Sequence, residues 1–188
     1  MDSDHRRETS KRVQLILSAK SSGSGGYTSW LANRPREKAR LELREALEAA
    51  AQEVFAMMVG VPLGSGDHAD LPRVADYTGM IGLAGDICGV LSFRCSNQSA
   101  VAIAGKMLDT GEQAPEECVR DALGEICNMV AGSFKARLPD LADRCMLSVP
   151  TVVSGKDYQL YSLANGERVQ IAGTFKGVLL WFTLDLHS

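Results

Sequence analysis

Apolar residues recur at intervals of three and four through Leu43, Leu47, Ala50, Val54 and Met58, which places them on one face of a helix. Pro35 opens this helix, Asn33 is its candidate cap, and Gly60 and Pro62 end it. A Gly/Asp/His-rich loop over residues 64–70 follows. The pattern then changes to strand. Residues 77–83 and 87–95 flank Ala84-Gly85-Asp86, a short loop suited to a hairpin. Gly79, Gly82, Gly85 and Gly89 leave that hairpin few side chains, a sign of close backbone approach. Ser96 or Asn97 caps a short helix over 98–108. A longer helix over 115–138 has Pro115 at its first position, Glu116 and Glu117 at its positive end, and Pro139 as its stop. Four strands complete the chain at 146–153, 158–164, 167–172 and 178–186, with Asn165-Gly166 as a hairpin turn between the second and third. Val178, Leu180, Phe182, Leu184 and Leu186 alternate and give the last strand an apolar face.

The order is helix, β-hairpin, two helices, four strands. Strands come in runs, so the pattern predicts an α+β fold with helices packed on an antiparallel or mixed sheet. Residues 1–35 read as a disordered extension ending in the Ser21–Gly26 linker, and 36–188 as the folded domain. Val13–Leu17, Tyr27 and Trp30 are the extension's apolar residues and its candidate docking elements. Met1–Arg12 is charged and Val13–Leu17 is too short for a secretory core.

Composition removes several chemistries. A net charge of -3 gives no electrostatic case for nucleic acid or an anionic membrane. Neither a GxGxxG nor a Walker-type loop is present. The five cysteines, Cys88, Cys95, Cys118, Cys127 and Cys145, are odd in number and scattered, so they read as buried small hydrophobes in a reducing cytoplasm. His5, His68 and His187 have no partners at metal-ligand or triad spacing, so no metal site is expected.

The helix over 115–138 carries the candidate chemistry. At about 100° per residue, Val119, Leu123, Ile126, Val130 and Phe134 form one stripe. Asp121, Glu125, Asn128 and Gly132 form a strip opposite, spaced four, three and four. Any amphipathic helix shows a solvated polar face, so spacing alone is compatible with a purely structural strip. Asn128 is a mediocre helix former, however, and Gly124 and Gly132 each cost about 1 kcal/mol relative to alanine in a helix interior. Small residues beside an acid and an amide suit the close approach of another surface.

The run Asp121-Ala122-Leu123-Gly124-Glu125-Ile126-Cys127-Asn128-Met129-Val130-Ala131-Gly132 resembles the signature helix of the CheC/CheX/FliY chemotaxis phosphatases, whose core is E-x-x-N. The segment Pro150-Thr151-Val152-Val153-Ser154-Gly155-Lys156-Asp157 resembles the strand and turn that follow this helix in CheX proteins. The likeness spans about residues 41–186 and implies a CheX-like fold. It implies a protein that removes the phosphoryl group from the aspartate of a CheY-like receiver domain. Glu125 would pair with the receiver's lysine and Asn128 would orient the attacking water. Asp121, Gly124 and Gly132 would form the partner-binding face. Mg2+ would come with the receiver, so the chain needs no cofactor of its own. A homodimer through the sheet is also implied, and the glycine-rich hairpin is the candidate edge. CheC-type relatives carry two such helices. In the first helix here, Ala49 stands where Glu125 would be and Gln52 where Asn128 would be, so one site is expected. The competing readings are a CheX-like module that binds a receiver or motor component without hydrolysis, and a self-associating scaffold whose strip is merely solvated. A cysteine hydrolase fits less well, because Cys127 lies about 120° from the strip toward the apolar side.

Overall fold

The computed structural model describes Trp30 and residues 34–66, 75–111, 114–138, 142–156, 158, 160–162, 164 and 166–187. Three helices pack on one face of a seven-stranded sheet. The elements are α1 (Arg36–Val54), β1 (Gly64–Ser65), β2 (Tyr77–Gly85), β3 (Gly89–Cys95), α2 (Asn97–Met107), α3 (Glu116–Ala136), β4 (Cys145–Leu147), β5 (Thr151–Ser154), β6 (Arg168–Phe175) and β7 (Val178–Leu186). The sheet runs β1-β6-β7-β3-β2-β4, with β5 also paired to β2, and every pairing is antiparallel.

The apolar periodicities become the core. Leu43, Leu47, Ala50 and Val54 of α1 are buried. Leu180, Phe182, Leu184 and Leu186 of β7 are buried against the helices. A π turn, Phe55–Val59, continues α1 until Gly60 closes it at a φ of 70°, the left-handed region open to glycine. That turn brings Phe55 edge-on to Phe93, Phe175 and Phe182 at 6.1, 6.1 and 6.3 Å. Phe93 and Phe182 are themselves opposite each other across β3 and β7 and stack at 4.6 Å. Ser96 caps α2, its hydroxyl accepting from the Ser99 amide at 3.2 Å.

The structure departs from the sequence expectations in several places. Trp30, placed in the extension, is buried in the core, with the Arg34 guanidinium 4.4 Å above its ring. Residues 1–29 and Asn33 lie outside the described residues. Gly64–Ser65, read as loop, pair with Gly173 and Thr174 as the edge strand β1. The strand expected over 146–153 is two strands, because Ser148 and Pro150 interrupt it.

The strand expected over 158–164 is not formed by its described residues. Tyr158 instead lies over the outer face of the sheet, its hydroxyl hydrogen-bonded to that of Thr78 at 2.7 Å. The edge of β2 that such a strand would need is already filled by β4 and β5. The hairpin expected at Asn165-Gly166 is therefore not the one that forms (Asn165 itself lies outside the described residues). The two-residue turn is Lys176-Gly177, joining β6 to β7 with φ of 50° and 76° at its centre. Positive φ at both positions suits the twist of an antiparallel pair.

The glycine-rich hairpin β2–β3 sits in the middle of the sheet, with β7 along β3 and β4 and β5 along β2. Its edges are used within the chain and are not available to a second copy. The close approach its glycines permit is internal too. A Cβ on Gly79 would lie 3.3 Å from the Leu123 carbonyl oxygen of α3, so the missing side chain seats α3 on the sheet.

Candidate functional site

Helix α3 is the central helix, packed against α1, α2, β2 and β5. Pro115 sits at the N-cap position, one residue before the helix, and Glu116 and Glu117 occupy the first turn, where carboxylates favour the helix dipole. The stripe Val119, Leu123, Ile126, Val130 and Phe134 is buried as its periodicity requires, joined by Ala122, Gly124, Cys127 and Ala131. Asp121 and Glu125 are exposed, and Asn128 and Gly132 are half-buried. Four members of the strip thus reach the surface together on one rigid helix.

The polar groups around the strip are engaged. Arg120 donates to Glu116 at 2.7 Å, and Ser133 and Arg137 both donate to the same Glu53 oxygen of α1 at 2.6 and 2.8 Å. Those two donors, the Ser133 hydroxyl first and the Arg137 charge second, hold the Glu53 carboxyl below its ordinary range. Among the described residues, no hydrogen bond or ion pair engages the side chains of Asp121, Glu125 or Asn128. Acid and amide are therefore presented to whatever docks there, on a helix where Glu116, Arg120, Ser133 and Lys135 are engaged within the chain.

The two glycines of the strip part company. A Cβ on Gly132 would meet nothing within 4 Å, so this position is open surface. Gly124, expected on the partner-binding face, is buried: a Cβ there would lie 3.7 Å from Val152 and 3.8 Å from Pro150 of the same chain. The segment that approaches at Gly124 is the β4–β5 connection, not a partner. Sequence spacing did not single out that connection as part of the site's surroundings, although Pro150-Thr151-Val152-Val153 was visible as a family-like run. Ser133 and Glu53 were also missed, because they are 80 residues apart and only packing of α1 on α3 joins them.

Cys127 is no nucleophile. Its thiol is fully buried, and burial pushes its pKa up to about 12. Gln52 on α1 is exposed, and Ala49 one turn before it carries no acid, so α1 does not reproduce the acid–amide pair. Among the described residues, no three His, Cys, Asp or Glu side chains converge as metal ligands. Likewise no helix is long and apolar enough to cross a membrane.

Known proteins share this fold. The CheY-P phosphatase CheX of Thermotoga maritima is 28% identical over 123 residues, covering 62% of this chain and 78% of that protein. The crystal structure of CheX from Vibrio vulnificus superposes with a TM-score of 0.69 at 24% identity, covering 79% of this chain and 98% of that one. A chain of the CheX–CheY–BeF3–Mg2+ complex from Borrelia burgdorferi gives 0.64 at 19% identity, covering 77% and 97%. The family model for the chemotaxis phosphatase CheX matches residues 77–174, just over half of the sequence and all of α3. The chain belongs to the CheX family of chemotaxis phosphatases.

Proposed function

We propose that this protein hydrolyses the aspartyl phosphate of a CheY-like receiver domain, with Glu125 and Asn128 as the working pair. The observation that carries this reading is the unengaged pair on α3, an exposed acid and a half-buried amide, in a chain of this family. The names of the relatives support the substrate: the T. maritima protein is a CheY-P phosphatase, and the B. burgdorferi complex joins CheX to CheY.

Glu125 anchors the helix by pairing with the lysine of the receiver's active site. Asn128 then reaches the phosphoryl group. Its amide N–H donates to a phosphoryl oxygen while its carbonyl accepts from a water O–H, which fixes that water for in-line attack. The water oxygen bonds to phosphorus as the bond to the aspartyl oxygen breaks. The products are the free carboxylate and inorganic phosphate, and the surplus proton passes to phosphate or solvent. An acyl phosphate is already activated, and the receiver brings its own Mg2+, so positioning is the contribution asked of this chain. Asp121 extends the acidic face, and the open surface at Gly132 admits the receiver's backbone. The β4–β5 edge, paired only with β2 among the described residues, is our choice for a homodimer contact.

The test is decay of a phosphorylated CheY-like receiver with and without the protein. Acceleration by the wild type, its loss in Asn128→Ala with binding retained, and weakened binding in Glu125→Ala are expected. Binding without any acceleration by the wild type would instead establish a non-catalytic receiver-binding module.

A further inference from the structure

Three contacts fix the course of the chain beside α3. Ser154 Oγ lies 3.5 Å from Glu116 Oε1, Pro150 and Val152 lie against Gly124, and Lys135 Nζ donates to the Cys145 carbonyl at 2.7 Å. The segment from Ser154 back to Cys145 therefore tracks α3 from its first turn to its last. Val149 directly precedes Pro150, which lies against Gly124, one helical turn before Asn128. The side of the helix agrees. At about 100° per residue, Asn128 is about 40° from Gly124 and about 20° from Lys135, whereas Glu125 is about 100° from Gly124. Asn128 is the strip residue nearest this segment.

The connection is also held stiffly. The Ser148 amide donates to the Gly82 carbonyl at 2.9 Å, the Gly82 amide donates to Ser148 Oγ at 2.8 Å, and that hydroxyl donates to the Val149 carbonyl at 2.9 Å. A Cβ on Gly82 would lie 3.3 Å from Ser148 Oγ, so the glycine makes room for the clamp. The residue the clamp presents is Val149, 84% exposed, with Met146 at 71% just before it. They are the most exposed large hydrophobic residues among those described. An apolar side chain in water, next in the chain to a proline packed one turn from an unengaged amide, has the makings of an interface contact.

We propose that Val149 is a docking contact for the receiver, seated on apolar side chains that border the receiver's phosphoaspartate. The proposal rests on the phosphatase reading above. A phosphoryl group brought to Asn128 carries the receiver surface across Val149, which is why the occupant is the receiver and not a second copy of this chain. Val149 acts by positioning and touches no reacting atom.

The experiment follows receiver-phosphate decay over a range of receiver concentrations for the wild type, Val149→Asp, Val149→Ile and Asn128→Ala, with sedimentation of each. Val149→Asp is expected to raise KM about ten-fold with kcat unchanged, the effect of losing one buried valine contact. Val149→Ile should behave as wild type, and all should sediment alike. An unchanged KM for Val149→Asp, with activity abolished in Asn128→Ala, would overturn this proposal and leave the phosphatase reading standing. A change in sedimentation on Val149→Asp would also overturn it, by assigning the residue to contact between copies. Failure of the wild type to accelerate decay would overturn both.

Discussion

Gly132 allows stability and activity to be pulled in opposite directions. A glycine inside a helix costs about 1 kcal/mol relative to alanine and only slightly less relative to leucine. A Cβ at position 132 meets no atom within 4 Å, so alanine does not strain the fold and a leucine side chain starts into open space. Gly132→Ala and Gly132→Leu should each stabilise the protein by up to about 1 kcal/mol, raising Tm by about 2–4 °C for a chain of this size. Gly132→Leu also adds four carbons to the face that the receiver must approach, and receiver dephosphorylation should fall with it. The paired control is Gly124. Alanine there makes ordinary contact with Val152 and Pro150, but leucine must displace them, an overpacking that costs about 1–3 kcal/mol. Thermal melts and receiver-phosphate decay on the four variants read both effects. A Gly132→Leu protein that is stabilised and fully active would refute the assignment of this face to docking. A Gly132→Ala protein that melts lower would refute the geometry of α3.

Other consequences follow from the same packing. Phe55→Ala removes the ring that meets Phe93, Phe175 and Phe182, and should cost about 3–5 kcal/mol in denaturant unfolding. Glu53 has a folded carboxyl pKa below its ordinary value, so its contribution is present above the unfolded pKa and is lost as pH falls through the folded one. Melts from neutral pH down through that range should therefore show a steeper loss for wild type than for Glu53→Gln, and equal slopes would remove the Ser133–Glu53–Arg137 link. With its pKa near 12 and no exposure, Cys127 should resist alkylation in the native protein at pH 8, while the half-buried Cys88 and Cys118 react first, as read by mass spectrometry of the labelled sites.

The candidate site was largely legible because it is a local property. Asp121, Glu125, Asn128 and Gly132 share a face through helical spacing alone, and nothing distant is needed to put them there. Gly124 shows the limit. It belongs to the same neighbourhood on the wheel, yet it is buried, because β5 arrives beside it from about 28 residues downstream by spacing along the chain. The long alternating run of β7 was equally plain, and so was its partner over 167–172, which forms as β6, whereas the turn that joins them was not. Asn165-Gly166 has the stronger turn composition, but Lys176-Gly177 joins the strands whose pairing fills the sheet. The residues around Tyr158 alternate like a strand in sequence, yet Tyr158 lies over the outer face, tied by its hydroxyl to Thr78, while β4 and β5 take the edge of β2. Trp30 was placed in the tail by the polar composition around it, and its burial is decided by a site built from α1 and the end of α3.

The central claim is that an amide at position 128, held out by α3, orients the water that attacks the receiver's phosphoaspartate. The measurement that tests it most directly is the decay rate of a phosphorylated CheY-like receiver saturated with wild type, Asn128→Ala or Asn128→Asp protein. A single positioned hydrogen-bonding group is commonly worth about 10²–10³ in rate. The account predicts loss of that order in both variants, with binding of the BeF3-activated receiver retained by Asn128→Ala. Wild-type acceleration that survives in Asn128→Ala would contradict it.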